Sequence, residues 1–230
     1  MGLRGVADDL ELSDRPAFRA WHLPSPPEAD PSRCRQILGD LLQPFGPDAT
    51  AWADRLIGEF GSLGAVLAAP AIAQKRVLGN ERGVIAWLAT LRAAMLHALR
   101  REALKGRVLG DSRAVMDYLF AAMAHQPVEQ LRVLYLNTRN RLLLDETVLE
   151  GSINVAPIYP REIVRRSLEL GATALILAHN HPSGDPEPSD EDIRITRLVA
   201  AAGGALDIKL HDHVIVARSG WISFRAAGYL

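Results

Sequence analysis

The chain has 230 residues, enough for one large domain or two small ones. Its 48% hydrophobic and 23% charged residues are typical of a soluble globular protein, and a formal net charge of -1 gives no strong field to attract nucleic acid or an anionic membrane. The single cysteine, Cys34, excludes a disulfide within the chain and fits a reducing compartment. No apolar run reaches the ~20 residues that span a bilayer, and the first residues lack the apolar core of a signal peptide. We therefore expect a cytoplasmic protein with no membrane partner.

The first half of the chain is predicted to be a tail followed by a small helical domain. Residues 1–30 predict a flexible tail, because the proline-rich spacer LPSPPEADP (residues 23–31) excludes a helix. Residues 31–105 predict a helical domain, since apolar side chains recur there at the spacing of a helix face. The helices are predicted over residues 32–45, from 48 to a stop near Gly61, from there to Pro70, and over residues 83–104.

After a linker at residues 105–113 the period of the apolar residues changes, and residues 108–230 predict an α/β domain. Two strands around the turn NTRN predict a hairpin, and a helix that Gly171 closes follows it. The apolar run ATALILAHN (residues 172–180) has the length of a strand buried on both faces. This alternation predicts a three-layer α/β domain with a mixed sheet. Further elements are predicted as helices over residues 111–125 and 189–204, strands over 131–137 and 141–151, and two or three strands within 205–224.

The stretch AHNHPSGDPEPSDED (residues 178–192) combines polar side chains in a pattern typical of a metal site. His179 and His181 lie at the end of the buried strand, and residues two apart on a strand point to the same face. A tight loop follows, and Asp192 lies in the first turn of the next helix. Two imidazoles and one carboxylate are ligands that zinc accepts, and three protein ligands leave a fourth position for water, as in catalytic sites.

Each half of this pattern also has a purely structural interpretation. Ser189 and Asp192 resemble a capping box, in which the serine caps a helix and the acid supports its first turn. A His-x-His pair can lie on the surface without any ligand. The two halves in succession have few chance matches, however, and Ser189 can cap the helix and still serve the site.

The stretch HNHPSGDPEPSDED resembles the metal motif of the JAMM (MPN-plus) metalloproteases, His-x-His-x7-Ser-x-x-Asp, and is closer still to the bacterial RadC family. This resemblance covers residues 108–230 and implies a JAMM/MPN domain, a three-layer α/β/α fold similar to that of cytidine deaminases. The segment FGSLGAVLAAP (residues 60–70) resembles the small helical domain that precedes it in RadC proteins. Further support comes from LRVLYLNTRNRLL, EGSINVAPIYPREIVRRSLELGATALILAHNHPSG, EDIRITRLV and DHVIV.

The resemblance implies a role for each residue that falls on the motif. His179, His181 and Asp192 fall on the ligands of one zinc ion per chain, and Ser189 falls on the serine that donates a hydrogen bond to the tetrahedral intermediate. The general base of JAMM enzymes is a glutamate before the first core strand, which points to Glu129 in PVEQLRVLYLN. Its rivals are Glu146 and Glu150 on the next strand. The implied reaction is hydrolysis of a peptide or isopeptide bond in a peptide or protein substrate.

The helical domain leaves a second function possible, namely association with nucleic acid. RadC proteins carry there a helix-hairpin-helix that presents backbone N–H groups to phosphate, but in VLGNERGVIAW only Gly79 is well placed and Glu81 would repel phosphate. The alternative is a nucleic-acid-associated accessory protein of DNA repair with a non-catalytic zinc. The degenerate hairpin and the near-zero net charge count against it. A zinc deaminase is excluded, because its ligand set needs more than one cysteine.

The segment LHDHVIV contains a second His-x-His pair, His211 and His213. One interpretation is a rival pair of metal ligands. The other is that His213 supports the domain near the site through hydrogen bonds.

Overall fold

The computed structural model describes residues 30–105, 112–151 and 159–230. Residues 1–29 of the predicted tail and residues 106–111 of the predicted linker lie outside the described part. The described residues fall into two compact units, one of residues 30–98 with 125–127, and one of residues 99–105, 112–124, 128–151 and 159–230. Within the described ranges, no helix has both the length and the apolar character needed to cross a bilayer.

The first unit is helical, as predicted. Asp30 caps its first helix by accepting a hydrogen bond from Ser32 N at 2.9 Å, and Pro31 is the first helical residue. The prediction that the spacer through Pro31 is non-helical was therefore wrong at its last residue, because proline fits the first position of a helix. The helices are α1 (Pro31–Leu42, followed by the 3-10 turn Gln43–Phe45), α2 (Ala49–Phe60), α3 (Leu63–Ala68), α4 (Ala71–Leu78) and α5 (Arg82–Lys105), whose residues 99–105 belong to the second unit.

Helix α4 was not predicted as a separate element, and a buried polar side chain explains why. Gln74 is 3% exposed and donates a hydrogen bond to Val66 O at 2.8 Å. It is therefore a core residue, but because it is polar it interrupts the pattern of apolar residues by which a buried helix face is recognised. The predicted helix stop at Gly61 is confirmed, since Gly61 N bonds Ile57 O at 2.8 Å with a φ of 84°. The core of this unit contains Leu38, Leu42, Trp52, Leu56, Ile57, Val66 and Leu88.

The second unit is built on a five-stranded sheet. Its elements are α6 (Ser112–Met123), β1 (Gln130–Leu136), β2 (Leu142–Glu150), α7 (Pro160–Leu170), β3 (Ala174–Asn180), α8 (Asp190–Gly204), β4 (Lys209–Ala217) and β5 (Gly220–Ser223). The strands lie in the order β2-β1-β3-β4-β5, in which β3 and β4 are parallel and the other neighbours antiparallel. The parallel pair needs a crossover, which α8 provides. This confirms the predicted mixed sheet.

Helices cover both faces of this sheet. On one face, Ile163 of α7 and Val199 of α8 belong to the same buried cluster as Leu131 and Leu177 of the strands. Side chains alternate along a strand, so residue 132 of β1 points to the opposite face. There Tyr118 of α6 accepts a hydrogen bond from Arg132 Nη1 at 3.2 Å. The unit is therefore a three-layer α/β/α domain, as predicted.

Two local predictions in this unit are also confirmed. Gly171 ends α7 in the left-handed conformation, with φ 64° and ψ 30°. In the hairpin turn, Asn137 Oδ1 accepts hydrogen bonds from Arg139 N and Arg141 N at 2.9 and 3.1 Å, and Asn140 has a φ of 55°. Strand β3, which follows Gly171 in the chain, is buried along its whole length.

The turn from α8 into β4 requires a glycine at position 203. A Cβ atom there would lie 2.7 Å from Ile208 O, a backbone atom that cannot move aside. We expect Gly203→Ala to lower the free energy of unfolding by about 1–3 kcal/mol. Gly204→Ala is the matched control, because nothing lies within 4 Å of its added carbon, and it should be neutral or stabilise by about 0.4–1 kcal/mol. Urea unfolding measures both, and equal stability of the two variants would contradict the close approach.

Candidate metal centre

The end of β3 and the start of α8 bring the predicted ligands together. His179 pairs in register with Leu131 of β1 and with Ile215 of β4, so it lies in the middle of the sheet. His181 follows on the same face, where its backbone N–H bonds Val216 O at 3.0 Å. The next residues form an exposed loop that returns the chain to α8, whose first turn carries Asp192 over the two imidazoles.

Two imidazoles and one carboxylate converge on a small volume. His179 Nδ1 lies 3.0 Å from Asp192 Oδ1, and His181 Nε2 lies 3.4 Å from Asp192 Oδ2. One ligand atom from each of the three residues lies within 4.8 Å of the others. Within the part of the chain that the structure describes, this is the group of His, Cys, Asp and Glu side chains arranged to hold a metal ion.

Each imidazole donates a hydrogen bond from one ring nitrogen, so the lone pair of its other ring nitrogen is free and faces the space between the three side chains. His181 Nδ1 lies 2.9 Å from Asp185 O, an acceptor, so its proton is on Nδ1 and Nε2 is free to bind a metal. His179 Nδ1 is buried without a hydrogen-bond partner. In a tetrahedral site with bonds of about 2.0–2.1 Å, neighbouring ligand atoms lie about 3.3–3.4 Å apart. The three ligand atoms lie within 4.8 Å of one another, so small side-chain shifts would bring them to that spacing. The residues therefore fit a divalent metal ion.

The site holds an ionised carboxylate in a buried place. Burial opposes ionisation of Asp192, but the close contacts of its carboxylate with the imidazoles of His179 and His181 outweigh it and keep the pKa of Asp192 far below its ordinary value. Burial alone would lower the pKa of His179, but the nearby carboxylates of Asp192 and Glu129 raise that pKa above its ordinary value. A proton on His179 Nδ1 would compete with a metal ion for the same lone pair, which is the usual coupling between metal and proton binding.

Ser189 and Asp192 form the capping box that the sequence allowed. Ser189 Oγ accepts a hydrogen bond from Asp192 N at 3.2 Å, and Asp192 Oδ2 accepts one from Ser189 N at 2.8 Å. The Ser189 hydroxyl also donates to Asp192 Oδ2 at 2.6 Å. The two interpretations of Ser-x-x-Asp are therefore compatible, because the same carboxylate caps the helix and faces both histidines.

Glu129 is the predicted glutamate that reaches the site. It directly precedes β1, and His179 Nε2 donates to its Oε1 at 2.6 Å. The hydrogen bond from His179 lowers the pKa of Glu129 despite partial burial. Of the rivals, Glu146 pairs with Arg166 at 3.2 Å and Glu150 is exposed on β2. A carboxylate on the outer nitrogen of a ligand histidine orients the ring, a common arrangement around protein metals.

The second His-x-His pair lies beside the site, and its members make separate hydrogen bonds. Thr196 Oγ1 donates to Asp192 O at 2.5 Å, so it must accept from His213 Nδ1 at 2.6 Å. Burial lowers the pKa of His213 to about 3, which keeps it neutral. His211 Nε2 donates instead to Asn140 Oδ1 at 2.9 Å. His213 thus supports the first turns of α8, in agreement with the second interpretation of this pair.

Two residues near the site were missed from the sequence, Thr196 and Asn180. Thr196 connects the first turn of α8 to β4, and Asn180 bonds the backbone on either side of Glu129. Asn180 bonds backbone groups about fifty positions away, and Thr196 bonds the side chain of His213 on another element, so the sequence has no local signal for either contact.

Residues 109–229 match the family model of the RadC-like JAB domain. The chain belongs to this family. A UPF0758 protein of Rhodobacter capsulatus is 45% identical over 183 residues, which cover 80% of this chain and 86% of that protein. A UPF0758 protein of Ruegeria pomeroyi is 43% identical over 183 residues, which cover 80% of this chain and 82% of that protein. The predicted RadC membership is confirmed.

Family membership and the geometry of the site both point to a domain with a metallohydrolase fold and a group of side chains that can hold a metal ion. The domain has the fold of JAMM-family metallohydrolases. Its His179, His181 and Asp192 form a group that can hold a metal ion, at the positions that the motif predicted.

Proposed function

We propose that this RadC-like JAB domain is a zinc-dependent JAMM-type metallohydrolase that cleaves peptide or isopeptide bonds. The observation that carries the proposal is the convergence of His179, His181 and Asp192, with the Glu129 carboxylate bonded to the first of them. Three protein ligands at the C-terminal end of a central strand leave room for a reactant, as in catalytic rather than structural metal sites.

Zinc is the metal that suits this ligand set best. Two imidazoles and one carboxylate are typical ligands of zinc hydrolases, and one such group among the described residues predicts one ion per chain. Bound zinc would supply Lewis-acid chemistry, lowering the pKa of water toward ~7 and polarising a carbonyl oxygen. That chemistry suits attack of water on an amide carbonyl.

Glu129 is the general base in this proposal. Its lowered pKa keeps the carboxylate ionised at neutral pH, the state that can accept a proton. Because Oε1 accepts the hydrogen bond from His179, the carboxylate is oriented and Oε2 is the atom that takes the proton. The same oxygen can then give the proton to the leaving amine. Glu129 is partly exposed, with 21% of its side chain open to solvent, so water can reach it.

Ser189 is the proposed donor to the oxyanion. As helix cap its Oγ accepts from Asp192 N, which leaves its own proton free to rotate from Asp192 Oδ2 toward a substrate oxygen. A single well-placed donor of this kind contributes about 2.7–4 kcal/mol to transition-state stabilisation.

Cleavage of a diverse peptide and isopeptide library by the zinc-loaded full chain tests the proposal. We expect turnover that Glu129→Gln lowers by about 10²–10⁴-fold, the usual contribution of a general base, while zinc content stays at one per chain. Glu150→Gln is the matched control, since this glutamate is exposed on β2 and its loss should leave the rate unchanged.

Two outcomes would overturn parts of the proposal. Full turnover in Glu129→Gln would remove this residue from the role of general base. No cleavage by the zinc-loaded wild type, together with tight and salt-dependent binding of DNA, would favour the nucleic-acid-associated function instead.

A further inference from the structure

Asn180, the central residue of His-Asn-His, holds the backbone on both sides of Glu129. Its side chain is 1% exposed in a fully buried strand. Oδ1 accepts a hydrogen bond from Gln130 N at 2.8 Å, and Nδ2 donates to Val128 O at 3.1 Å. One carboxamide therefore satisfies the peptide groups that flank the proposed general base.

These bonds matter because Glu129 lies just outside the regular sheet. Strand β1 begins at Gln130, and Val128 is already 41% exposed. The backbone of Glu129 itself has one further anchor, the hydrogen bond from Gly151 N to Glu129 O at 2.8 Å. Without Asn180, the backbone next to Glu129 would lose these bonds to β3, and the next residue paired with β3 would be Leu131, opposite His179. The carboxylate could then move away from His179 more easily.

The side chains of the tripeptide His-Asn-His (residues 179–181) point to two opposite faces of the sheet. Side chains alternate along a strand, so His179 and His181 share the face of the metal centre while residue 180 points to the opposite one. From there its side chain reaches the segment that leads into β1. The same three residues thus present two metal ligands and hold the partner of the first ligand in place.

We propose that Asn180 is a positioning residue for Glu129. This inference rests on the proposed function in so far as Glu129 acts as a base. Its structural part, that Asn180 maintains the hydrogen bond between Glu129 and His179, holds independently of any activity. Catalytic groups must keep their geometry closely, and a displacement of about 1 Å can cost about 10²-fold in rate.

Nuclear magnetic resonance of the metal-free full chain, labelled at the histidine nitrogens, tests the structural part. The His179 Nε2 proton, in a 2.6 Å hydrogen bond to a carboxylate, should give a far-downfield and slowly exchanging signal. We expect Glu129→Gln to remove this signal and Asn180→Ala to remove it or speed its exchange at least about tenfold. The His211 Nε2 proton, bonded to Asn140, is the internal control for an intact fold.

Kinetics of the zinc-loaded enzyme test the catalytic part. Asn180→Ala should lower kcat about 10²-fold with KM and zinc content nearly unchanged, because no ligand is altered. The double variant Glu129→Gln/Asn180→Ala should have a kcat less than about twofold below that of Glu129→Gln alone. The effects of residues that act as a unit do not add, so Asn180 has little left to contribute once the base is gone. Asn137→Ala, which removes a similar side-chain-to-backbone clamp at the other end of β1, should leave kcat unchanged.

Each outcome decides the proposal. If Asn180→Ala fails to fold, Asn180→Ser replaces it, because serine puts no charge in the buried strand and is too short to bridge both Gln130 N and Val128 O. An unchanged His179 signal in the folded variant would overturn the inference. If the wild type cleaves nothing, the proposed function fails, but the histidine signals still decide whether Asn180 positions Glu129.

Discussion

Replacing Asp192 with asparagine is expected to remove the metal ion and, with it, the proposed peptide hydrolysis. Asp192 faces His179 with Oδ1 and His181 with Oδ2, and Oδ2 also accepts from Ser189 N. If the amide oxygen of asparagine stays on Ser189 N, its NH₂ group points at His179 Nδ1. A donor there would occupy the lone pair that a metal needs.

The expected loss of zinc affinity is more than about 100-fold. Loss of a residue that merely supports a ligand already costs about 10–100-fold, and Asp192 is itself a ligand in our proposal. The metal-free variant should remain folded, since the weakened cap of α8 costs only about 1 kcal/mol. Competition with a zinc chelator measures the affinity. Thermal unfolding with and without zinc measures the stabilisation, which is about 2.7 kcal/mol for the wild type when free zinc is 100 times the Kd.

Asp190→Asn is the matched control for this experiment. Asp190 lies in the same first turn of α8 and is exposed, so it has the same relation to the helix dipole without facing the histidines. It should bind zinc like the wild type. Zinc binding by Asp192→Asn at the affinity of the Asp190 variant would show that the carboxylate is not a ligand, and the metal centre would have to be abandoned.

The metal group was predictable because its members come from one short segment. A strand end sets the direction of His179 and His181, and a helix start sets that of Asp192, so local rules suffice. Glu129 is fifty positions away in sequence from its partner. It could be proposed only from the family resemblance. The antiparallel register of Leu131 with His179 is what brings Glu129 to the site.

The contacts that could not be predicted depend on register and packing between distant elements. Asn180 and Gln74 are buried amides whose partners are backbone groups, and a sequence pattern assigns neither partner. The burial of Asp145, a carboxylate on β2, could not be predicted for the same reason. In LLLDETVLE it has the appearance of an exposed strand residue, but its side chain is 1% exposed.

Removal of the Asp145 carboxylate is expected to destabilise the α/β unit strongly. Tyr118 OH donates to Asp145 Oδ2 at 2.5 Å, Arg132 Nε lies 3.4 Å from Oδ1, and Arg100 Nε lies 4.0 Å from Oδ2. Within the second unit, one buried charge thus joins the end of α5 (residues 99–105), α6, β1 and β2. Burial and the nearby carboxylate raise the pKa of Tyr118 to about 12, so the phenol stays a donor.

We expect Asp145→Ala to lower the free energy of unfolding by about 3–5 kcal/mol, because Arg132 would keep a largely buried charge without its partner. Asp145→Asn should cost less, about 1–3 kcal/mol, since an amide oxygen can still accept from Tyr118. Urea unfolding measures both variants, and their order separates the loss of charge from the loss of the hydrogen bond.

The control for the Asp145 variants is Asp117→Ala, which removes an ion pair that is shorter but that we expect to contribute less to stability. Asp117 and Arg113 on α6 approach to 2.8 Å, but about half of each side chain is exposed. Water and salt screen such pairs, so Asp117→Ala should cost no more than about 1 kcal/mol. Burial, rather than distance, decides the difference between the two aspartates. If Asp117→Ala and Asp145→Ala cost the same, the cluster around Asp145 is not what holds β2 to α6, and apolar packing between the layers must do so instead.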